Sequence, residues 1–153
     1  NAISNIISLK IKIDILVNNA GFASGSYFQM TPIIELERMM KINFTSQVQF
    51  TQGISRYMVR FNSGSIINIG STAGLFGEVG MLSYGSSKAA LIFATKTMAS
   101  ELGQYNIRVN VIAPSVTKTE MFDQMEVNAR TKLINSSAFK SPFKAYSSDI
   151  VLS

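Results

Sequence analysis

The chain has 153 residues, 46% of them hydrophobic and 15% charged, with a net charge of +5. That is about one globular domain, at roughly 100–200 residues per domain, and too apolar for a disordered tail. It has no cysteine and no histidine, which excludes disulfides, thiolate zinc sites, iron–sulfur clusters, His-ligated metals and every triad built on histidine.

Chemistry in this chain therefore falls to Tyr, Lys, Ser, Asn or the carboxylates. No apolar run approaches the roughly 18–20 residues that span a bilayer, and no signal sequence opens the chain. The expectation is a cytoplasmic protein with no membrane contact. The first residue is Asn1, not Met, so the chain reads as a piece of a longer product.

In chain order, Ile11-Lys-Ile-Asp-Ile-Leu-Val17 is a β-branched apolar run that ends at Asn18-Asn19-Ala20-Gly21. It predicts a buried strand and a tight turn. Thr31-Pro32 opens a helical pattern that lasts to about Arg60, with Pro at the first turn, where its missing N–H does no harm. Asn62-Ser63-Gly64 stops it. Ser65 to Ile69 is a second strand, ended by Gly70-Ser71, and a loop holding Gly74, Gly77 and Gly80 follows. A second long helix runs from about Ser83 to Leu102, with Gly103 as its C-cap. Ile107 to Ile112 is a third strand, closed by Ala113-Pro114. Beyond Thr119 the pattern weakens into a Ser-, Lys- and Phe-rich stretch.

Strand, helix, strand, helix, strand predicts a parallel α/β sheet with both faces covered. Ligands in such sheets sit beyond the C-terminal ends of the strands. Asn18 to Gly21, Ser71 and Pro114 to Thr119 all fall there.

The basic balance does not point to nucleic acid. Most Lys and Arg residues are scattered singly, and only Arg130, Lys132, Lys140 and Lys144 form an excess without an intervening acid. That segment reads as a solvated surface or as a contact for an anionic partner.

Tyr84 and Lys88 are four residues apart, so they share a helix face. An ammonium beside a phenol favours the phenolate and predicts a lowered tyrosine pKa. Such a pair exchanges a proton with a carbonyl or alcohol oxygen, and Ser71 at a strand end can hydrogen-bond the same oxygen.

The ordered set of Asn18-Asn19-Ala20-Gly21 after a strand, Asn43 in the next helix, Ser71, Tyr84 with Lys88, and Pro114 after the last strand resembles the short-chain dehydrogenase/reductase family. The blocks Gly64-Ser-Ile-Ile-Asn-Ile-Gly-Ser71, Tyr84-Gly-Ser-Ser-Lys-Ala-Ala-Leu91 and Arg108-Val-Asn-Val-Ile-Ala-Pro114 carry the resemblance over residues 13 to 121. It is most similar to the 3-oxoacyl-acyl-carrier-protein reductases. The resemblance implies an α/β fold, a Rossmann-like doubly wound parallel sheet with helices on both faces, present here as one partial domain over residues 1–153. It implies NADP or NAD as cofactor, NADPH favoured, and hydride transfer between the nicotinamide and a carbonyl or alcohol.

By the same resemblance Tyr84 is the general acid/base. Lys88 lowers its pKa and meets the nicotinamide ribose, Ser71 orients the substrate oxygen, and Asn43 anchors a water in a proton relay. Asn18, Ala20, Gly21, Pro114, Thr117 and Thr119, with Tyr84 and Lys88, fall at cofactor-binding positions. Partners implied are a small carbonyl or alcohol substrate, carrier-bound in some relatives, and a second copy of the chain through the two long helices. No metal is implied.

The chain departs from the family in three places. None of its ten glycines stand two apart, so no G-x-G turn is present to hold a pyrophosphate. Ser115 stands where the family usually has Gly, and the C-terminal end stops early, with no final strand after Ser148-Asp-Ile-Val151. In the family's strand order both the strand at 13–17 and the strand at 107–112 would have open edges here, with the apolar faces half covered. That predicts a weakly stable chain that binds the cofactor poorly. The alternative is a catalytically silent remnant with no cofactor binding of its own.

Overall fold

A computed structural model describes residues 2–115, 131 and 151–152. Its elements are α1 (Ala2–Ser8), β1 (Ile15–Asn18), α2 (Ile33–Met40), α3 (Ser46–Val59), β2 (Gly64–Ile69), α4 (Leu82–Leu102), β3 (Ile107–Ile112) and β4 (Val151–Leu152). The sheet order is β1-β2-β3-β4. The first three strands are parallel and β4 is antiparallel to β3. This is a partial α/β fold: among the described residues, a mainly parallel sheet with its crossover helices on one face.

Register decides which residues make the core. Leu16 pairs with Ile66, which pairs with Val109, and these three face the helices. They form one buried cluster with Ile54 and Met58 of α3, against which Met98, Ala99 and Leu102 of α4 pack. Ile3 and Ile6 bring α1 onto the same cluster. Burying one such aliphatic side chain is worth about 1.5–3 kcal/mol, so this cluster is the main adhesive between sheet and helices.

The other face differs from the sequence expectation. Ile15 and Val17 alternate with Leu16 and Asn18, point away from α3 and α4, and are 62% and 52% exposed. Among the described residues the sheet contacts of α3 and α4 lie on one face only. The β-branched run that reads as a two-sided buried strand is thus buried on one side. The run is also shorter than expected, because its partner β2 begins only at Gly64 and the residues before Asp14 have nothing to pair with. The edge beyond β3, expected to be open, carries β4, through Val111 with Leu152 and Ile112 with Val151.

The helical stretch from Pro32 is continuous, but Lys41–Thr45 forms one π-helical turn between α2 and α3. The extra residue in that turn rotates Asn43 inward, where it is fully buried. The helix stops are made by asparagines. Asn62 and Asn106 take left-handed backbone (φ 47° and 54°), which Asn tolerates better than other side chains. Gly103 is the C-cap of α4, as expected, with right-handed backbone at φ −56°. Helix α1 carries no capping signal in the sequence and lies outside the elements that the sequence predicts.

Candidate active site

Three strand ends and one helix converge. β1 runs out at Asn18, and the turn that follows is held from α3. Asn18 Nδ2 donates to Thr51 Oγ1 at 2.7 Å and to Asn68 Oδ1 of β2 at 2.7 Å. Asn68 Nδ2 in turn donates to Thr95 Oγ1 of α4 at 2.8 Å. This buried chain of amides and hydroxyls ties β1, α3, β2 and α4 together. Buried polar groups so satisfied fix a unique arrangement.

Asn43 clamps the next part of the turn. Its Oδ1 accepts from the Phe22 N–H at 3.0 Å, and its Nδ2 donates to the Phe22 carbonyl at 2.8 Å and to Ser87 Oγ at 3.1 Å. Both N–H groups of the amide are used. The water anchor expected of Asn43 therefore does not draw on its amide hydrogens. Ser87 passes the contact on by donating to the Tyr84 carbonyl at 2.8 Å, so the turn after β1 is linked to the first turn of α4.

Lys88 is buried, and its Nζ donates to the Ile69 carbonyl at the end of β2, at 2.7 Å. A Cβ at Gly21 would lie 3.1 Å from Asn43 Oδ1 and 3.6 Å from Lys88 Nζ. A side chain there would crowd Asn43, so glycine lets the turn lie this close to Asn43 and Lys88. Ser71 caps the 3-10 turn Thr72–Gly74, accepting from the Ala73 N–H at 3.2 Å. That turn lies hard against α4. A Cβ at Gly74 would sit 2.8 Å from Ala89 N, and one at Gly85 would sit 2.7 Å from Ala73 O. Two glycines thus let Ser71 approach Tyr84. Pro114 is held beside them, its carbonyl accepting from the Thr72 N–H at 3.0 Å.

The electrostatics correct one expectation. Burial pushes the Tyr84 phenol above its ordinary value of 10, and a side-chain hydrogen bond with Ser71 opposes this. Burial pulls the Lys88 ammonium down to about 8. Burial, not the ammonium, sets the direction of the Tyr84 shift; Lys88 Nζ donates to the Ile69 carbonyl and lies 5.9 Å from the Tyr84 ring centroid. Desolvation penalises phenolate and ammonium alike. At neutral pH Tyr84 keeps its proton.

The structure thus brings Asn18, Ala20, Gly21, Asn43, Ser71, Tyr84, Lys88 and Pro114 to one end of the sheet. Thr117 and Thr119 lie outside the described residues. Gln47 is a member that sequence reasoning missed. It is buried on α3, and its Nε2 donates to the Ala20 carbonyl. Its only sequence signal is its place one helical turn after Asn43. No cluster of metal-ligating side chains occurs among the described residues, and no helix among them is long and apolar enough to cross a membrane.

The residues fit one end of a nicotinamide cofactor: with one of its three donors spent on Ile69, the Lys88 ammonium would have two for ribose hydroxyls. The pyrophosphate end has no G-x-G turn in this chain.

A parallel α/β sheet with a Tyr–Lys pair and a serine at its C-terminal end has the layout of a dinucleotide-dependent dehydrogenase. The family model for short chain dehydrogenases matches residues 1–130, and the chain belongs to that family. It is 39% identical over 120 residues to the 3-oxoacyl-acyl-carrier-protein reductase FabG of Aquifex aeolicus, covering 78% of this chain and 48% of the relative. It is 35% identical to carbonyl reductase family member 4 of Xenopus laevis, covering 85% and 55%. Among solved structures, NAD+-bound xylitol dehydrogenase superposes with a TM-score of 0.78 at 34% identity, covering 92% of this chain and 55% of that one. Gluconate 5-dehydrogenase of Burkholderia cenocepacia, in complex with NADP and tartrate, gives 0.75 at 29% identity, covering 78% and 47%. The chain spans about half the length of the curated relatives it matches.

Proposed function

We propose that the chain is part of the NAD(P)-binding domain of an oxidoreductase that transfers hydride between a nicotinamide and a carbonyl or alcohol, with Tyr84 as general acid/base. The observation that carries this reading is the convergence of Gly21, Asn43 and Lys88 beside a Tyr84–Ser71 pair, beyond the ends of parallel strands. When bound, the cofactor supplies the hydride. The chain's own residues handle the oxygen and the proton. Ser71 Oγ and the Tyr84 hydroxyl are placed to hydrogen-bond one substrate oxygen. The raised Tyr84 pKa keeps its proton available at pH 7, which suits reduction, where the developing alkoxide takes that proton. Lys88 Nζ, fixed by Ile69, holds the nicotinamide ribose. Asn43 holds the turn against which that ribose rests.

Similarity to 3-oxoacyl-acyl-carrier-protein reductases supports NADPH as the favoured cofactor and a carbonyl substrate, including one delivered on a carrier protein. In the same reading the protein is cytoplasmic and pairs with a second copy through the long helices. The exposed Phe93 on α4, at 73%, supports that pairing.

The test is NADPH oxidation with a 3-oxoacyl thioester. Tyr84→Phe is expected to cut kcat by about 10²–10⁴-fold, and an unchanged rate overturns the assignment. A second reading is a silent chain with no cofactor binding of its own. A micromolar dissociation constant for NADPH in calorimetry overturns it. Weak or absent binding is expected of this chain in either reading, and the effect of Tyr84→Phe on reduction by the full-length form then decides between them.

A further inference from the structure

Three side chains on one helical stripe each hold the chain that leaves β1. Thr51 accepts from Asn18, Gln47 donates to the Ala20 carbonyl, and Asn43 brackets Phe22 through both its N–H and its C=O. The helix positions fall by four while the chain positions rise by two. Thr51 and Gln47 lie one turn apart on α3, and Asn43 stands in the π-helical turn before it. Their contacts fall on residues 18, 20 and 22 in turn and run as rungs against the direction of the helix.

We infer that Gln47 is a positioning residue of the site, the middle rung that sets the path of Ala20 and Gly21 and so how that turn lies against Lys88. The inference rests on the functional reading above for what binds beside that turn. A packing role alone does not account for Gln47. It is only 5% exposed, and its Oε1 is buried without a hydrogen-bond partner among the described residues. A buried unsatisfied acceptor is costly, and an apolar side chain of the same length would avoid that cost. What the amide adds is a donor for the Ala20 carbonyl. Without it that carbonyl is free to rotate, and Gly21, which has no side chain to anchor it, turns with it.

The experiment uses the full 153-residue chain. In the wild type, through-hydrogen-bond NMR coupling between Gln47 Nε2 and the Ala20 carbonyl carbon is expected. Its absence overturns the inference without any variant. Gln47→Met keeps the length and removes the donor. The Phe22 amide, which donates to Asn43, is expected to lose hydrogen-exchange protection at least tenfold. The Ile66 and Val109 amides in the core of the sheet are expected to stay as protected as before. Unchanged Phe22 protection, or an equal loss at all three amides, overturns the positioning role. Where the wild type binds NADPH measurably, Gln47→Met is expected to weaken it about tenfold at unchanged core protection, and unchanged affinity overturns the role. Where it does not, coupling and exchange alone decide the role of Gln47 in the turn, and the functional reading is decided by Tyr84→Phe.

Discussion

Lys88 and Tyr84 make opposite demands on pH. The folded lysine titrates at about 8 against an ordinary value of 10.5. Between those values the unfolded chain holds the proton that the folded chain releases, so stability rises with pH. The stability that Lys88 contributes is complete above 10.5 and is lost as pH falls through about 8. Tyr84 is raised above 10, so its contribution is complete below 10 and declines at higher pH. Urea midpoints are expected to climb from pH 8 to 10, and Lys88→Met to flatten that climb. A wild-type curve that is flat there would contradict the burial of the ammonium. The pairing of Tyr84 with Lys88 is legible from spacing alone, because helix geometry puts residues four apart on one face. The direction of the Tyr84 shift is not, because it is set by burial of the phenol, which depends on how the Thr72–Gly74 turn and α4 pack. Gln47 is hidden for a related reason: a glutamine in mid-helix reads as a solvated residue until its neighbours are known.

The contact between the Thr72–Gly74 turn and α4 is made by absent side chains. Gly74→Ala drives a methyl to 2.8 Å from the backbone of both Lys88 and Ala89. Backbone cannot swing aside, so a loss of about 1–3 kcal/mol is expected, together with retreat of Ser71 from Tyr84. Urea unfolding checks the first, and kcat against KM checks the second. Gly103→Ala makes the contrast. A methyl at that position would meet no heavy atom within 4 Å, and the backbone there is already right-handed. Alanine there is expected to stabilise by about 0.4–1 kcal/mol. In the buried network, Asn68→Ala deprives Asn18 of an acceptor and Thr95 of a donor, and is expected to cost about 2–4 kcal/mol. β2, β3 and α4 are legible nearly to the residue, since β-branched runs and an Ala- and Ser-rich helix are strong local signals. The π-helical turn at Lys41–Thr45 and helix α1 are not. One is set by the partners of Asn43, and the other by packing of Ile3 against α3 at Gly53.

The whole molecule has an uneven sheet. One face is closed by α3 and α4, and the other shows Ile15 and Val17 to solvent. Parallel pairing is read from the alternation of elements, and half-covered faces from the family's strand order; which face stays bare is not, because a two-sided and a one-sided β-branched run look alike in sequence. Exposed apolar strand residues invite association. Ile15→Lys with Val17→Lys is expected to raise the soluble concentration several-fold at unchanged urea midpoint, measured by light scattering. The site itself is assembled from distant parts of the chain: Gly21 precedes Lys88 by 67 residues. At synthesis rates of about 5–20 residues per second, the turn at Gly21 waits roughly 3–13 seconds for the lysine that lies beside it. During that interval β1 has neither α4 nor the Thr95 end of its polar network. A translational pause placed between Gly70 and Leu82 would lengthen the wait, and the soluble yield is expected to fall with its duration.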